Sequence, residues 1–195
     1  MSEELVIQTQ DLMLYTVLPD EYLLLEKDFA HPSLWTKRGF SDPTKYFLNN
    51  KNPISHRLKL IKDNPDWAKY LLRVAVLNKS QAIIGSVGFH SAPDQTGMIE
   101  IGFGVDHGYE NRGYGQQILH GMWGWVVNDP LVKLLRYTVS PNNLKSQHII
   151  NKLNFNLVGE QIDKEDGLEQ IYELTASEYN ANFHSNLSPN PNPIY

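Results

Sequence analysis

The chain has 195 residues, a length that fits one domain with a sizeable hydrophobic core. Its 17 Lys and Arg against 22 Asp and Glu give a net charge of -5, and an acidic chain without a basic run is a poor candidate for binding nucleic acid. The absence of cysteine excludes disulfides, thiolate nucleophiles and cysteine-based zinc sites.

The first segment, MSEELVIQTQDLMLY, carries acidic residues where a secretory signal would be positive. No apolar run approaches the length needed to cross a bilayer. Together with the missing cysteines, these features predict a cytoplasmic protein without a membrane partner.

The N-terminal third predicts one strand followed by helices. Residues 5–19 alternate in patches, as in an opening strand with a bulge, and residues 20–30 have a helical pattern. A short helix is expected near 44–48. A longer one, in ISHRLKLIKDNPDW, should end at Asn64-Pro65.

Three alternating segments follow, YLLRVAVLN, AIIGSVGFHS and MIEIGFGVD, and the short turns between them predict an antiparallel meander. The next segment, residues 113–127, has one apolar helical face formed by Ile118, Leu119, Met122 and Val126.

The remaining pattern predicts a strand in KLLRYTVS, a helix over residues 144–153 with Asn154 as a left-handed cap, and a closing hairpin. The order β-β-β-α-β-α-β-β indicates an α+β fold with a mixed central sheet flanked by helices. We expect a single domain over residues 1–178. The Pro- and Asn-rich tail, residues 179–195, should be disordered or extended.

Gly113 and Gly115 surround a tyrosine just before the predicted helix, and Arg112 precedes them. Helix N-termini have unpaired backbone N–H groups and partial positive charge, so this turn is suited to hold a phosphate. A plain tight turn is the alternative. The dinucleotide fingerprint lacks its third glycine here, and no P-loop Gly-Lys-Ser/Thr is present.

A second stretch, SPNNLKSQHIINKLNFNLVGE, follows the next strand. Together with ENRGYG and the strand MIEIGFGVD, it resembles the GNAT superfamily of acyl-CoA-dependent N-acetyltransferases. In particular it is similar to the branch that acetylates the N-terminal alanine of ribosomal proteins. The resemblance covers about Ala82 to Leu174. It rests on Glu110–Gly115 as the pyrophosphate loop and on Asn143, Ser146 and the run Lys152–Phe155 as the later motif.

Two residues depart from the family pattern. Glu110 stands where the family usually has Arg or Gln, which places an acid near the expected pyrophosphate. Asn154 replaces a glycine, but asparagine tolerates the same left-handed backbone.

The resemblance implies a fold of the GNAT type and transfer of an acetyl group from acetyl-CoA to a primary amine. The seven histidines form no closely spaced ligand pair, so no metal site is expected. The backbone amides of the loop would hold the pyrophosphate. The strand that precedes the loop, and the cap residue of the later helix, would hold the pantetheine arm. The implied cofactor-binding residues are Phe103, Gly104, Val105, Arg112, Gly113, Tyr114, Gly115 and Asn143. Asn143 is equally a plain helix N-cap, and Gly102 and Gly104 can simply shape a bulge.

The resemblance also places Glu100 as the base that takes the proton of the amine. Strand alternation puts Glu100, Gly102 and Gly104 on one face, although a solvated carboxylate is the alternative. Ser146 would donate a hydrogen bond to the departing thiolate, because no tyrosine occurs between residues 144 and 153. Ser146 as an ordinary residue of the first helical turn is the competing interpretation.

Four aromatic residues of the N-terminal third fall where the family builds its acceptor pocket: Tyr22, Trp35, Phe40 and Tyr46. Two other functions stay open at this point, a non-catalytic acyl-CoA-binding or regulatory module and an interaction protein that docks through its tail. The expected partners are acetyl-CoA and an amine acceptor, and the protein is expected to be a monomer or a homodimer.

Overall fold

A computed structural model describes residues 5–50, 53–164 and 166–183. Its strands are β1 (Val6–Gln8), β2 (Leu12–Thr16), β3 (Arg73–Leu77), β4 (Ile83–Phe89), β5 (Met98–Val105), β6 (Leu134–Val139), β7 (Asn156–Asp163) and β8 (Gly167–Thr175). Its α-helices are α1 (Pro19–Lys27), α2 (Tyr46–Asn49), α3 (Ile54–Asp63), α4 (Tyr114–Val126), α5 (Leu144–Lys152) and α6 (Ala176–Phe183).

The chain divides into two compact units. The first consists of Met1–Ala92 and Glu100–Met122, and the second of Pro93–Ile99 and Trp123–Tyr195. The single domain expected over residues 1–178 stays a prediction.

The first unit contains the predicted antiparallel meander, which is confirmed. Its strand order is β1-β2-β3-β4-β5, and each neighbouring pair is antiparallel. Ser86 of β4 lies opposite Gly104 of β5, and Gly88 lies opposite Gly102. This register brings the two strands' alternating residues onto a common face.

The expectation of a single opening strand is wrong, because the chain reverses there and forms the hairpin β1–β2. The reversal is stabilised at Thr9, whose N–H donates to the carbonyl of Leu12 at 2.8 Å and whose hydroxyl oxygen accepts from the N–H of Leu12 at 3.1 Å. A threonine that bonds the backbone in this way favours a turn over a continuous strand.

The helices of the N-terminal third cover a hydrophobic core in the first unit. Tyr22, Trp35 and Tyr46 belong to this core with exposures of 0%, 4% and 2%, and Phe40 packs against it. Of the four aromatic side chains expected in an acceptor pocket, three are therefore buried in this core and Phe40 is half-buried against it, and the pocket itself stays a prediction. Burial of these large apolar groups is what holds the helices against the sheet.

The second unit has the closing strands in the order β6-β8-β7, with both pairs antiparallel. The side-chain oxygen of Asn143 accepts a hydrogen bond from the N–H of Ser146, so Asn143 is the N-cap of α5. Asn154 has a φ of 57°, which confirms the left-handed conformation expected after this helix.

The predicted tail needs one correction. Residues 179–183 are not extended, because they form the end of α6, and Tyr179 is only 1% exposed. Burial of the Tyr179 ring explains why the helix continues past the proposed boundary. The rest of the tail, residues 184–195, lies outside the described residues.

The predicted fold class is confirmed as α+β with a mixed sheet and flanking helices. The order of the predicted strands and helices is also correct from β3 to β8. In the described part of the chain, none of the helices combines the length and the apolar character that crossing a bilayer requires.

Candidate active site

The turn that follows β5 begins with a local cap. The Asp106 carboxylate accepts a hydrogen bond from the N–H of Gly108 at 2.9 Å and starts a short 3-10 helix, His107–Tyr109. This arrangement needs only neighbouring residues, so the sequence itself determines where β5 stops and the turn starts.

The Gly-rich turn, residues 110–115, has two left-handed positions. Asn111 has a φ of 59° and Gly113 a φ of 80°, and nothing lies within 4 Å of a Cβ built on Gly113. The first hydrogen bond of α4 joins the N–H of Gln117 to the carbonyl of Gly113 at 3.1 Å. The N–H groups of Tyr114 and Gly115 therefore precede the helical bonding pattern and have no carbonyl within the helix to donate to. With the helix dipole, they can hold an anion.

Two charged side chains accompany this turn. Arg112 donates a hydrogen bond to the carbonyl of Gly108 at 3.1 Å, and its guanidinium lies 5.5 Å from the centre of the Tyr109 ring. The Glu110 carboxylate lies 3.3 Å from Nδ1 of His107. The acid that departs from the family pattern is thus next to a basic group of its own turn.

Alternation along β5 agrees with the sequence analysis in part. Ile99 and Ile101 are buried, each 1% exposed, while Glu100, Gly102 and Gly104 occupy the opposite face. We call these three residues the glycine face. Phe103, which alternation places on the same side of the strand as Ile99 and Ile101, is only half-buried.

The missing side chains on the glycine face leave room for two other residues of the first unit. A Cβ on Gly102 would lie 3.0 Å from Nε2 of His90, and a Cβ on Gly104 would lie 2.6 Å from the hydroxyl of Tyr46. The glycines therefore allow close approach by His90 and Tyr46, and neither shapes a bulge in the β4–β5 register.

Glu100 and His90 form a pair on this face. Oε1 of Glu100 lies 3.7 Å from Nδ1 of His90, and the backbone N–H of His90 donates to the carbonyl of Glu100 at 2.9 Å. The Glu100 side chain is 18% exposed and that of His90 is 53% exposed. A carboxylate at this position can take a proton, and the imidazole beside it can pass one to solvent.

The Tyr46 hydroxyl is within hydrogen-bonding distance of the Ser86 hydroxyl, at 3.1 Å. Burial raises the pKa of Tyr46, so its phenol stays protonated at neutral pH. Sequence reasoning missed Ser86 altogether. The available signal was the alternation in SVGFH, which places Ser86, Gly88 and His90 on one face.

Ser146 lies in the first turn of α5, in the second unit, and its side chain is hydrogen-bonded to Tyr137 of β6. Burial raises the pKa of Tyr137 to about 12, and the bond to Ser146 acts in the opposite direction. Although α5 itself carries no tyrosine, Ser146 therefore has a tyrosine neighbour, which is contributed by the preceding strand.

The structure brings the first-unit candidates together along one strand and its turn. Glu100, Phe103, Gly104 and Val105 all belong to β5, and Arg112–Gly115 lead into α4. Asn143 and Ser146 belong to the second unit. Among the residues that the structure describes, no group of three or more His, Cys, Asp or Glu side chains is arranged to hold a metal ion.

Comparison with protein families gives a match to the acetyltransferase (GNAT) domain over residues 28–156. A relative in sequence is the uncharacterized N-acetyltransferase YjdG of Bacillus subtilis (strain 168). It is 26% identical over 161 residues, which cover 79% of this chain and 87% of the relative.

Solved structures show the same fold. An acetyltransferase of Salmonella typhimurium that modifies the N-terminal serine of the ribosomal protein L7/L12 has a TM-score of 0.58 and 13% identity, covering 88% of this chain and 99% of that one. An acetyltransferase of the GNAT family from Bacillus anthracis has a TM-score of 0.59 and 13% identity, covering 89% and 99% of the two chains.

Proposed function

This chain belongs to the GNAT acetyltransferase family, and from that premise we propose that it transfers an acetyl group from acetyl-CoA directly to a primary amine. The observation that carries the proposal is the Gly-rich turn, where two left-handed residues present the free amides at the start of α4 directly after β5. Acetyl-CoA supplies the activated acyl group, and the residues of the chain supply binding and proton transfer.

The turn fits the diphosphate of acetyl-CoA. Gly113 is exposed and free of neighbours at its Cβ position, so an anion can reach the backbone amides of Arg112–Gly115 without steric hindrance. The Arg112 guanidinium adds positive charge beside them. Phe103, Gly104 and Val105 would hold the pantetheine arm through backbone groups, since the glycine face itself is filled by His90 and Tyr46.

Glu100 is the proposed general base. An amine with a pKa near the lysine value of about 10.4 is protonated at neutral pH and must lose a proton before its nitrogen forms the new C–N bond. The Glu100 carboxylate takes this proton, directly or through water, and His90 at 3.7 Å helps to orient it. This geometry favours an enzyme over a module that only binds acyl-CoA.

Ser146 is the proposed donor to the sulfur that leaves when the C–S bond breaks. Its hydrogen bond with Tyr137 supports the role, because a phenol whose pKa is raised to about 12 remains protonated and can hold the serine hydroxyl in one orientation. Asn143 would contact the pantetheine arm in addition to capping α5. The roles of Ser146 and Asn143 toward acetyl-CoA rest on the resemblance of their sequence motif to that of the family.

The proposed acceptor is a primary amine of a protein N-terminus or of a small molecule. The modification of a ribosomal protein by a protein of the same fold supports the first class. The net charge of -5 mildly favours cationic acceptors over nucleic acid, and a cysteine-free chain suits the cytoplasm. We infer a cytoplasmic enzyme, monomeric or homodimeric, that acts without a membrane or nucleic-acid partner.

Thermal unfolding with acetyl-CoA, free CoA and NADH tests the proposal. A ligand at about 100 times its Kd stabilises a fold by ~2.7 kcal/mol, so both CoA species should raise Tm and NADH should not. No shift with either CoA species contradicts the proposal. Binding followed by no turnover across a panel of amines would instead identify a non-catalytic acyl-CoA-binding module.

A further inference from the structure

The turn of the β1–β2 hairpin is tied to α4 by one side chain. Oε1 of Gln117 accepts hydrogen bonds from the Thr9 hydroxyl at 3.0 Å and from the Asp11 N–H at 2.9 Å. Nε2 of Gln117 donates to the Asp11 carboxylate at 2.8 Å. We call these three residues the Gln117 clamp. It joins segments that are more than 100 positions apart in the sequence.

The backbone of Gln117 has a second role. Its N–H makes the first hydrogen bond of α4, to the carbonyl of Gly113 at 3.1 Å. A peptide plane is rigid, so fixing the Gly113 carbonyl also fixes the direction of the Tyr114 N–H, which belongs to the same peptide group. Gln117, which the hairpin holds through its side chain, therefore orients the Tyr114 N–H of the Gly-rich turn through its backbone.

One turn further along α4, the hairpin and the helix are in close contact. A Cβ on Gly121 would lie 3.0 Å from Cγ2 of Thr9 and 3.4 Å from Cγ2 of Ile7. The absence of a side chain at Gly121 allows this approach, which keeps the hairpin close enough for the Gln117 side chain to bridge.

Beside the clamp, an open cleft of about 510 Å³ is lined by residues 8–10 and by the first half of α4. Gly113 and Gln117 both line it. On this side the first turn of the helix borders solvent space and is not packed into the core. The hydrogen bonds of the Gln117 clamp therefore fix the orientation of the first turn of α4, because core packing does not fix it on this side.

We propose that Gln117 is a positioning residue for acetyl-CoA. Gln117 holds the amides of the Gly-rich turn in their binding orientation and does not itself touch the ligand. The inference rests on the proposed function and deepens it. An amide that points in a fixed direction before the anion arrives need not be ordered on binding, so the affinity is higher. The N-terminal hairpin thereby becomes part of the cofactor site through its contact with α4.

The first test compares Gln117→Ala with Gln10→Ala, a glutamine of the same turn whose side chain forms no hydrogen bond with the described part of the chain. Gln117→Ala should raise the Kd of CoA and the KM for acetyl-CoA about tenfold, the size of effect that loss of a charge-assisted hydrogen bond produces, with kcat nearly unchanged. Gln10→Ala should change none of these constants. A kcat that falls together with the rise in KM would contradict a role limited to cofactor positioning.

A reciprocal exchange separates positioning from general loss of stability. Gln117→Glu alone removes the N–H donor and places a carboxylate beside Asp11, so CoA binding should weaken. Adding Asp11→Asn supplies a new side-chain amide that can donate to the introduced carboxylate, and the acceptors for Thr9 and the backbone N–H are retained. The double variant should recover CoA affinity to within about threefold, because the donor and acceptor pattern is restored with polarity reversed.

The outcomes distinguish this inference from the proposed function. If the unmodified chain binds no CoA in isothermal titration, the proposed function and the inference both fail. If it binds CoA and Gln117→Ala binds equally well, only the inference is overturned. The inference is likewise overturned if the double variant folds with native stability and stays as weak as Gln117→Glu.

Discussion

The Gly-rich turn and the glycine face belong to the same unit, and they are built in different ways. The turn is formed by neighbouring residues, with left-handed Asn111 and Gly113 followed by the first amides of α4. The glycine face depends on residues from elsewhere in the chain. His90 approaches Gly102, and Tyr46 approaches Gly104.

The two regions also differ in their proposed roles, since the Gly-rich turn binds the cofactor and the glycine face carries the proton transfer. Backbone amides at a helix N-terminus can hold an anion almost regardless of the side chains around them, so a binding site of this kind tolerates substitutions such as Glu110. Proton transfer depends on which side chains meet and at what distance. We therefore expect substitutions on the glycine face to have larger effects than substitutions of side chains in the turn.

The largest effect is expected for Glu100→Gln. The amide has the shape of the carboxylate but cannot take a proton at neutral pH, so kcat should fall about 10²-fold or more. The Kd of acetyl-CoA should stay unchanged, because Glu100 does not belong to the turn. Steady-state kinetics with an accepted amine, together with titration of acetyl-CoA, measures both.

Glu160→Gln, an exposed carboxylate on β7, is the matched control and should leave both constants unchanged. If the Glu100→Gln variant has the same kcat as the unmodified enzyme, Glu100 is a solvated carboxylate without a catalytic role. The glycine face would then have no part in proton transfer.

An intermediate effect is expected for Gly104→Ala. The new methyl group would lie 2.6 Å from the Tyr46 hydroxyl, and because Tyr46 is buried, the ring cannot move away freely. The free energy of unfolding should drop by about 1 to 3 kcal/mol, the usual cost of overpacking. Urea denaturation followed by fluorescence measures it.

Two variants check the cause of this loss. Gly159→Ala on β7 meets nothing within 4 Å and should change the free energy of unfolding by no more than about 0.5 kcal/mol. Adding Tyr46→Phe to Gly104→Ala removes the clashing oxygen, so the double variant should lose less than the sum of the two single variants. Strict additivity would mean that the hydroxyl and the methyl group do not interact.

The smallest effect is expected for Glu110→Gln in the turn. Removing a negative charge near the diphosphate should tighten CoA binding a few-fold, or about 0.5 to 1 kcal/mol, because partly exposed charges interact weakly in water. The gain should shrink at high salt. Weaker binding would show instead that the contact between Glu110 and His107, at 3.3 Å, helps to hold the turn.

Much of the fold was predictable because its signals are local. Alternation identified β3, β4 and β5, and the apolar face of residues 113–127 identified α4. The opening hairpin was missed because Thr9 reverses a segment whose alternation reads as one strand. Helix α6 was missed because a composition rich in Pro and Asn dominates the tail, while the burial that stabilises Tyr179 is a tertiary effect.

The sequence by itself determined the order of the elements from β3 to β8, the position of the Gly-rich turn and the cap at Asn143, since each follows from residues close together in the chain. Only the tertiary structure decided which side chains meet. Tyr46 bonds Ser86 across 40 positions, and Gln117 bonds Thr9 across 108. The physical reason is that backbone geometry repeats over a few residues and leaves a pattern in the sequence. Contacts between distant segments arise from packing of the whole chain, which no local pattern records.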